Sequence, residues 1–346
     1  MNAALLSGQL AQGETVRRFE RQVAAACGHA DGVATNSGTS ALHLALLALG
    51  VQAGDEVLMP SYTCVALLHA VHYVGAQPCL VEVDPHTYNM APRQARRLLN
   101  RRTRAIIVPH MFGLPADVAA MAEWDVPIIE DCAQAIGATI GGRPVGAVGT
   151  IAICSFYATK VLTTGEGGML VASDPRLLDR ARDARDYDGR AAFAPRFNYK
   201  MTEMQAALGL SQLARLPAFL ARRRNLAARY SARLRDARVR LPAVPEGRTH
   251  IFYRYVVGVP DADRMINRLA ASEIEAKRPV FRPVHSYVAS GEFPRTDEAM
   301  ITAVSLPIHP SLDDTAIDAV AKAVIRECGT RQPEKEAPSR LASSSR

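Results

Sequence analysis

The chain has 346 residues and only six cysteines, with no CxxC pair among them. That absence argues against a disulfide frame and against a thiolate zinc site. Cys27, Cys64, Cys79, Cys132, Cys154 and Cys328 are scattered, several inside apolar runs, and read as reduced core thiols of a cytoplasmic protein. The nine histidines form no HxxxH or HExxH cluster, so no metal site is expected. No run of 18 uncharged apolar residues occurs, which excludes a helical membrane span. Residues 1–10 lack the basic start and long apolar core of a signal peptide. No GxGxxG follows the first strand-like run, which argues against a dinucleotide fold.

What is present is a formal charge of +7 on a chain that is 48% hydrophobic and 22% charged, ordinary for a globular protein. Much of the positive charge falls in two arginine-rich stretches, 176–190 and 215–240, which read as solvated helix faces. The alternative is an anionic partner. No basic patch interleaved with aromatics appears, so a phosphorylated small substrate fits better than nucleic acid.

Short runs apolar on both faces occur at 56–59, 77–83, 105–108, 127–130, 151–154 and 169–172. Helical runs at 39–49, 64–74, 92–99 and 118–123 separate several of them. The alternation predicts a three-layer α/β/α domain around a mostly parallel sheet. Residues 175–236 read as long helices broken by a loop at 188–199, with Thr202 as a helix cap. From 237 to 328 the pattern becomes a small α+β domain: a strand at 252–258, a helix at 261–271 capped by Asp261, an extended stretch at 279–284 and a helix at 315–326. The large domain therefore spans 1–236, and the tail from 329 to 346 is expected to be disordered.

Lys160 is the most informative residue. It follows the apolar run 150–157 and precedes the glycine-rich turn Gly165-Glu166-Gly167-Gly168. A lysine at the lip of a sheet can shed water and free its amine to attack a carbonyl. The common alternative is a solvated surface group. Around it stand four further features. Asn36-Ser37-Gly38-Thr39-Ser40 opens an apolar helix with small residues, which makes either a phosphate site or a plain N-cap. Asp131 ends the apolar strand 127–130, where open α/β sheets place ligands; it can hold a pyridinium nitrogen protonated, cap a helix or bind magnesium. Gln134, three residues on, can donate to a phenolate oxygen. Ser155 can reach a phosphate while Lys160 reaches the aldehyde carbon of the same small cofactor. The segment 197–207 opens another helix.

These residues, in this order and spacing, resemble the DegT–StrS family of pyridoxal-phosphate sugar aminotransferases, of the aspartate-aminotransferase fold type (fold type I). Ser37-Gly38-Thr39, Gly54 to Val57, Pro60 to Thr63, Gly75-Ala76, Glu130 to Gln134, Ser155 to Tyr157, Lys160, Glu166 to Gly168 and Asn198 to Met201 carry the resemblance, which runs from about Leu6 to Arg326. It implies pyridoxal 5'-phosphate as cofactor and Lys160 as its Schiff-base lysine. It implies Asp131 at the pyridine nitrogen, Gln134 at the ring oxygen, and Gly38, Thr39 and Ser155 at the phosphate. Asn198 would reach the cofactor phosphate of a neighbouring subunit, so the resemblance implies a homodimer with shared sites. His285 matches a position near the substrate pocket. Two departures stand out. Many members have an aromatic residue where Cys64 stands, and many have arginine where Lys200 stands.

The implied reaction moves an amino group from an amino acid, usually L-glutamate, to a keto-sugar, usually nucleotide-linked. The alternatives on the same scaffold are a cofactor-dependent sugar dehydratase, whose members carry histidine where Lys160 stands, and a non-enzymatic regulator.

Overall fold

The computed structural model describes residues 2–288 and 291–330. Seven strands form the main sheet: β1 (Asp31–Thr35), β2 (Glu56–Pro60), β3 (Gln77–Val81), β4 (Thr103–Pro109), β5 (Ile128–Asp131), β6 (Ile151–Ser155) and β7 (Gly168–Ala172). Two more, β8 (Tyr255–Gly258) and β9 (Ala303–Leu306), pair antiparallel near the C-terminus. The helices used below are α1 (Glu14–Ala26), α2 (Gly38–Ala48), α3 (Ala66–Tyr73), α4 (Pro92–Leu98), α5 (Pro175–Arg185), α6 (Glu203–Arg233), α7 (Ala262–Ala270), α8 (Pro294–Thr302) and α9 (Asp314–Cys328).

The sheet order is β1-β7-β6-β5-β4-β2-β3. From β6 to β3 every pairing is parallel, while β7 runs antiparallel to both β6 and β1. The alternation of burial along the strands divides the core. Ile107 and Ile129 face one layer with α2 and α3, whereas Ile106, Val108 and Ile128 face the opposite layer. Helices therefore cover both faces, which is why the strands read as continuous apolar runs. The expected three-layer α/β/α architecture is what forms.

Polar groups lock the layers. The buried Glu20 of α1 accepts from Arg185 of α5 at 2.8 Å and from the Ala34 N–H at 2.8 Å, while Arg185 also donates to the Ala34 carbonyl. This ties the edge strand β1 to helices on both sides. It also corrects the reading of 176–190 as a wholly solvated face, because Arg185 is buried. Glu203, at the start of α6, accepts from the N–H groups of Gly13, Thr15 and Val16, so one carboxylate caps α1 from across the fold.

Helix α6 begins at the Thr202–Gln205 capping box that its sequence calls for. Its first half packs on α1 and its second half contributes Leu226 and Tyr230 to the C-terminal core, with Val257, Leu269, Val304 and Ile317. Asp261 caps α7 as expected.

Three sequence expectations change. Residues 118–123 form only a 3-10 turn at Ala119–Met121, since the span between Pro115 and Pro127 is too short to nucleate an α-helix. The strand expected at 252–258 starts only at Tyr255, because Phe252 takes a positive φ of 51°. The strand β1 and helix α1 were not anticipated. Of the tail expected to be disordered, Gly329 and Thr330 are ordered against Arg238 and Ala237, and 331–346 lie outside the described residues. Among the described residues no helix is long and apolar enough to cross a membrane.

Candidate active site

Parallel strands end together, and the chemistry gathers at the C-terminal edge of β5 and β6. Asp131 closes β5 opposite Ile153 of β6. Its Oδ1 accepts from the Ala133 N–H at 2.9 Å. Burial pushes its carboxyl pKa up; the Ala133 N–H, the Lys160 ammonium and His110 pull the other way and only partly offset it. The carboxyl is thus a buried acid short of a full counter-charge. Lys160 sits one turn beyond β6, its N–H bonded to the Tyr157 carbonyl at 2.8 Å. Its amine makes no hydrogen bond among the described residues and lies 5.1 Å from the centre of the Tyr253 ring.

Gln134 is oriented by the backbone. Its Oε1 accepts from the Phe112 N–H at 2.9 Å, which leaves Nε2 as the free donor. Phe112 reaches that position with φ of 59°. A cavity of about 260 Å³ opens over these groups, lined by Gln134, Lys160, Tyr253, Arg254 and Cys64.

The other end of the site is built around Gly168, which pairs with both Thr35 and Ser155. A Cβ on Gly168 would fall 2.2 Å from the Ser37 carbonyl oxygen, and one on Gly38 would fall 2.7 Å from the Ser155 Cβ. Two missing side chains therefore let the first turn of α2 rest directly on the ends of β6 and β7. Ser37 caps α2 by accepting from the Ser40 N–H. The N–H groups of Gly38 and Thr39, and the hydroxyls of Thr39 and Ser155, have no hydrogen-bond partner among the described residues. Unpaired N–H groups at a helix start form an anion site. A second cavity, of about 380 Å³, is lined by Ser37, Thr39 and Ser40 and shares Cys64 and Val65 with the first. Replacing Gly168 by alanine should push the Ser37–Thr39 turn outward. The expected outcome is a cofactor affinity at least about tenfold weaker, read by titrating the released cofactor by absorbance.

Beneath Asp131 lies a second buried acid. Glu130 accepts from the N–H groups of Gly146, Val148 and Gly149 and meets His110 Nε2 at 3.0 Å. His110 Nδ1 accepts from the Ala116 N–H, so Nε2 carries the proton that is donated to Glu130. Burial alone would raise the Glu130 carboxyl; His110 and the backbone donors outweigh it and bring it from 4.5 down to about 2. The folded state thus holds this proton less tightly than the unfolded chain. The resulting stabilisation is full above pH 4.5 and is lost as the pH falls toward 2. Glu130→Gln should cost on the order of 3 kcal/mol at neutral pH and flatten the acid limb of a stability–pH curve measured by urea unfolding.

The profile of the DegT/DnrJ/EryC1/StrS aminotransferase family matches residues 1–325. The chain belongs to this family. The aminotransferase is 36% identical over 333 residues to the GDP-perosamine synthase of Caulobacter vibrioides, with 90% of each chain covered. It is 32% identical over 332 residues to a pleiotropic regulatory protein of Geobacillus stearothermophilus, covering 91% of this chain and 89% of that one. Among solved structures, DesV of S. venezuelae, in complex with a ketimine intermediate, matches with a TM-score of 0.91 and 34% identity over 96% of this chain and 94% of that one.

The enzyme is a pyridoxal-phosphate-dependent transaminase of fold type I. Its unsatisfied groups fit that cofactor. Unpaired N–H and hydroxyl donors suit the phosphate, a buried acid lacking a full counter-charge suits a pyridinium, the Gln134 amide suits the ring oxygen, and the unbonded Lys160 amine suits the aldehyde.

The remaining expected residues lie farther out. Asn198 gives its backbone carbonyl to the Asn36 side chain. His285 is held by Ser61 at 2.6 Å and Asp297 at 3.2 Å and stacks on Phe293; it does not line the Lys160 cavity, although Arg282 and Tyr287 do. Lys200 pairs with Asp186 and Asp188 and bridges to β1 through its backbone. Cys64 is exposed and joins the two cavities. Sequence reading missed Tyr253 and Arg254, whose only local signal is an aromatic-basic pair before a strand.

Proposed function

We propose that the enzyme transfers an amino group from L-glutamate to a keto-sugar carried on a nucleotide, as a cytoplasmic homodimer. The observation that carries this reading is the unbonded Lys160 amine, which rests against the Tyr253 ring and acts on the Asp131 carboxyl, in a fold that also leaves the N–H groups at the start of α2 open. Relatives named as transaminases of dTDP-linked amino sugars, together with the GDP-perosamine synthase, support the acceptor class.

Gly38, Thr39 and Ser155 would anchor the phosphate of pyridoxal phosphate. Asp131 would keep a proton on its ring nitrogen, and Gln134 would donate to its ring oxygen. Bound in this way, the cofactor supplies an electron sink for the charge that develops at the donor's α-carbon. Lys160 would hold the cofactor's aldehyde through its amine. Displaced there by the donor's amino group, that amine would be the base that takes the glutamate α-proton and the acid that returns it. The same amine would serve the acceptor carbon. Tyr253 limits where that amine can swing.

Exposed rings around the site, Tyr73, Tyr157, Tyr187 and Phe281, favour a second copy of the chain against this face. In that dimer Asn198 reaches the phosphate held by the other protomer, and His285 lies toward the acceptor. A regulatory role is the second reading, favoured by the Geobacillus relative; the intact Lys160, Asp131 and Ser155 weigh for catalysis.

The test converts the holoenzyme with L-glutamate to its pyridoxamine form and then offers keto-acceptors. Nucleotide-linked keto-sugars should restore the original spectrum. Restoration by free ring ketones alone would overturn the acceptor class, and no conversion by glutamate would favour the regulator.

A further inference from the structure

The Tyr253 ring, 5.1 Å from the Lys160 amine, is presented by a short irregular segment, residues 250–254, that leads into β8. That segment is pinned several times over. The Ile251 N–H donates to the Gly113 carbonyl at 3.0 Å and the Arg254 N–H to the Phe112 carbonyl at 3.3 Å. The Phe252 N–H donates to His250 Nδ1 at 2.9 Å, and the two rings stack 4.0 Å apart. Arg223 of α6, only 6% exposed, completes the set. Its Nη1 donates to the carbonyls of Phe252, Tyr253 and Ile308 at 3.0, 3.2 and 3.1 Å.

This pinning is held against strain. Phe112 and Phe252 both take positive φ, 59° and 51°, which side chains rarely adopt. Gly113 has no room for a side chain: a Cβ there would fall 2.9 Å from the Tyr253 nitrogen and 2.7 Å from Ile251 Cγ1. The Arg223 Nε is buried without a partner, and no carboxylate among the described residues pairs with this arginine, whereas the equally buried Arg185 has Glu20 at 2.8 Å. Strained backbone and an uncompensated buried charge both oppose folding, and they mark places where one geometry is required. The feature these contacts share is the placement of Tyr253. Phe112, whose N–H orients Gln134, carries the same segment through its carbonyl. The Tyr253 hydroxyl meets Thr159 Oγ1 at 3.4 Å, so what Lys160 meets is the ring.

We propose that Tyr253 is a positioning residue for the proton transfer: its ring is the perch of the Lys160 amine whenever that amine is free, and Arg223 with the Phe112–Gly113 turn holds the ring in place. The inference rests on Lys160 carrying the proton, as in the reaction proposed above. Between taking the donor's α-proton and giving it back, the amine is an ammonium, and an aromatic face attracts an ammonium that has shed water. The Arg254 guanidinium, 5.4 Å from the same ring centre, is a like charge that opposes the ammonium and keeps the hold weak enough for the proton to leave.

The test uses Tyr253→Phe, which keeps the ring, and Tyr253→Leu, which removes it. Each holoenzyme is mixed with L-glutamate carrying hydrogen or deuterium at the α-carbon. At saturating donor Tyr253→Leu should convert at least about tenfold more slowly, with half-saturation within about twofold of the parent. Its deuterium isotope effect should rise, because proton transfer then limits the rate. Tyr253→Phe should stay within about threefold of the parent rate. In the pyridoxamine form the Lys160 amine is free. There its ε-methylene NMR signal, one of five lysine signals and identified by its loss in Lys160→Ala, should lie upfield from the ring current. The shift should persist in Tyr253→Phe and shrink in Tyr253→Leu and in Arg223→Lys, whose single ammonium does not reproduce the guanidinium fork. Cofactor absorbance and melting temperature show that each variant is loaded and folded. A parental rate and isotope effect in Tyr253→Leu would overturn the inference and leave the role of Lys160 standing. So would a Lys160 signal with no upfield shift in the parent, a result that needs no variant at position 253. If Tyr253→Phe is as slow as Tyr253→Leu, the hydroxyl acts and the ring does not. If Lys160→Ala turns over at the parental rate, the underlying reading falls as well.

Discussion

Lys160→Ala lowers amino transfer by at least about 10³-fold and removes the absorption band of the lysine-bound cofactor. The size follows from the absence of a substitute. Cys64 also lines the cavity, but a thiol does not carry the proton between the two carbons as an amine does. His285 is committed to Ser61 and Asp297. No hydrogen bond of the fold depends on the side chain, whose amine is half-buried against Tyr253 and acts on Asp131 only through its charge. The melting temperature of the cofactor-free variant should therefore stay close to that of the parent. Stopped-flow mixing with L-glutamate reads the first half-reaction directly, and a variant that still turned over at the parental rate would remove Lys160 from the chemistry.

Asp131→Asn has two consequences of opposite sign. Activity falls by about 10²-fold or more, because a neutral amide does not hold a proton on the ring nitrogen and the electron sink weakens. The cofactor-free protein becomes more stable at neutral pH. Burial raises the Asp131 carboxyl, so the folded chain holds that proton more tightly than the unfolded one. The favourable contribution of the protonated form is present at acid pH and is lost as the pH rises through the folded value. Asparagine keeps the Ala133 N–H bond and escapes that loss. The gap between variant and parent should therefore close on acidification. Urea unfolding of both apo proteins across pH measures it; a variant less stable at neutral pH would show that the buried charge is already compensated.

The Asp131 environment explains which parts of the site were legible in the sequence. Asp131, Ser155 and Lys160 each end or follow an apolar strand. Parallel pairing forces such positions onto one edge, so local pattern was enough. Gly38 and Thr39 were legible as a helix start. Tyr253 was not, since it lies 93 residues after Lys160 and arrives from the C-terminal part of the chain. Arg223 was misread as part of a solvated face for a related reason: α6 changes packing partner along its length, and periodicity does not reveal which core each half meets. β1 was passed over because Asp31 and Gly32 give it a weak strand signal. α1 was passed over although Val16, Phe19 and Val23 carry a helical spacing, with Glu20 interrupting the apolar stripe.

The place of β7 between β1 and β6 has a consequence for synthesis. β1 lies at the sheet edge and its sole strand neighbour is β7, made more than 130 residues later. As the chain leaves the ribosome, β1 must wait for residues 168–172 before it can pair with another strand. The turn at Ser37–Thr39, just after β1, is thus among the earliest segments translated and rests on strand ends made much later. A chain stalled before Gly168 would present an unpaired apolar strand to its neighbours, the kind of surface that aggregation and chaperones compete for.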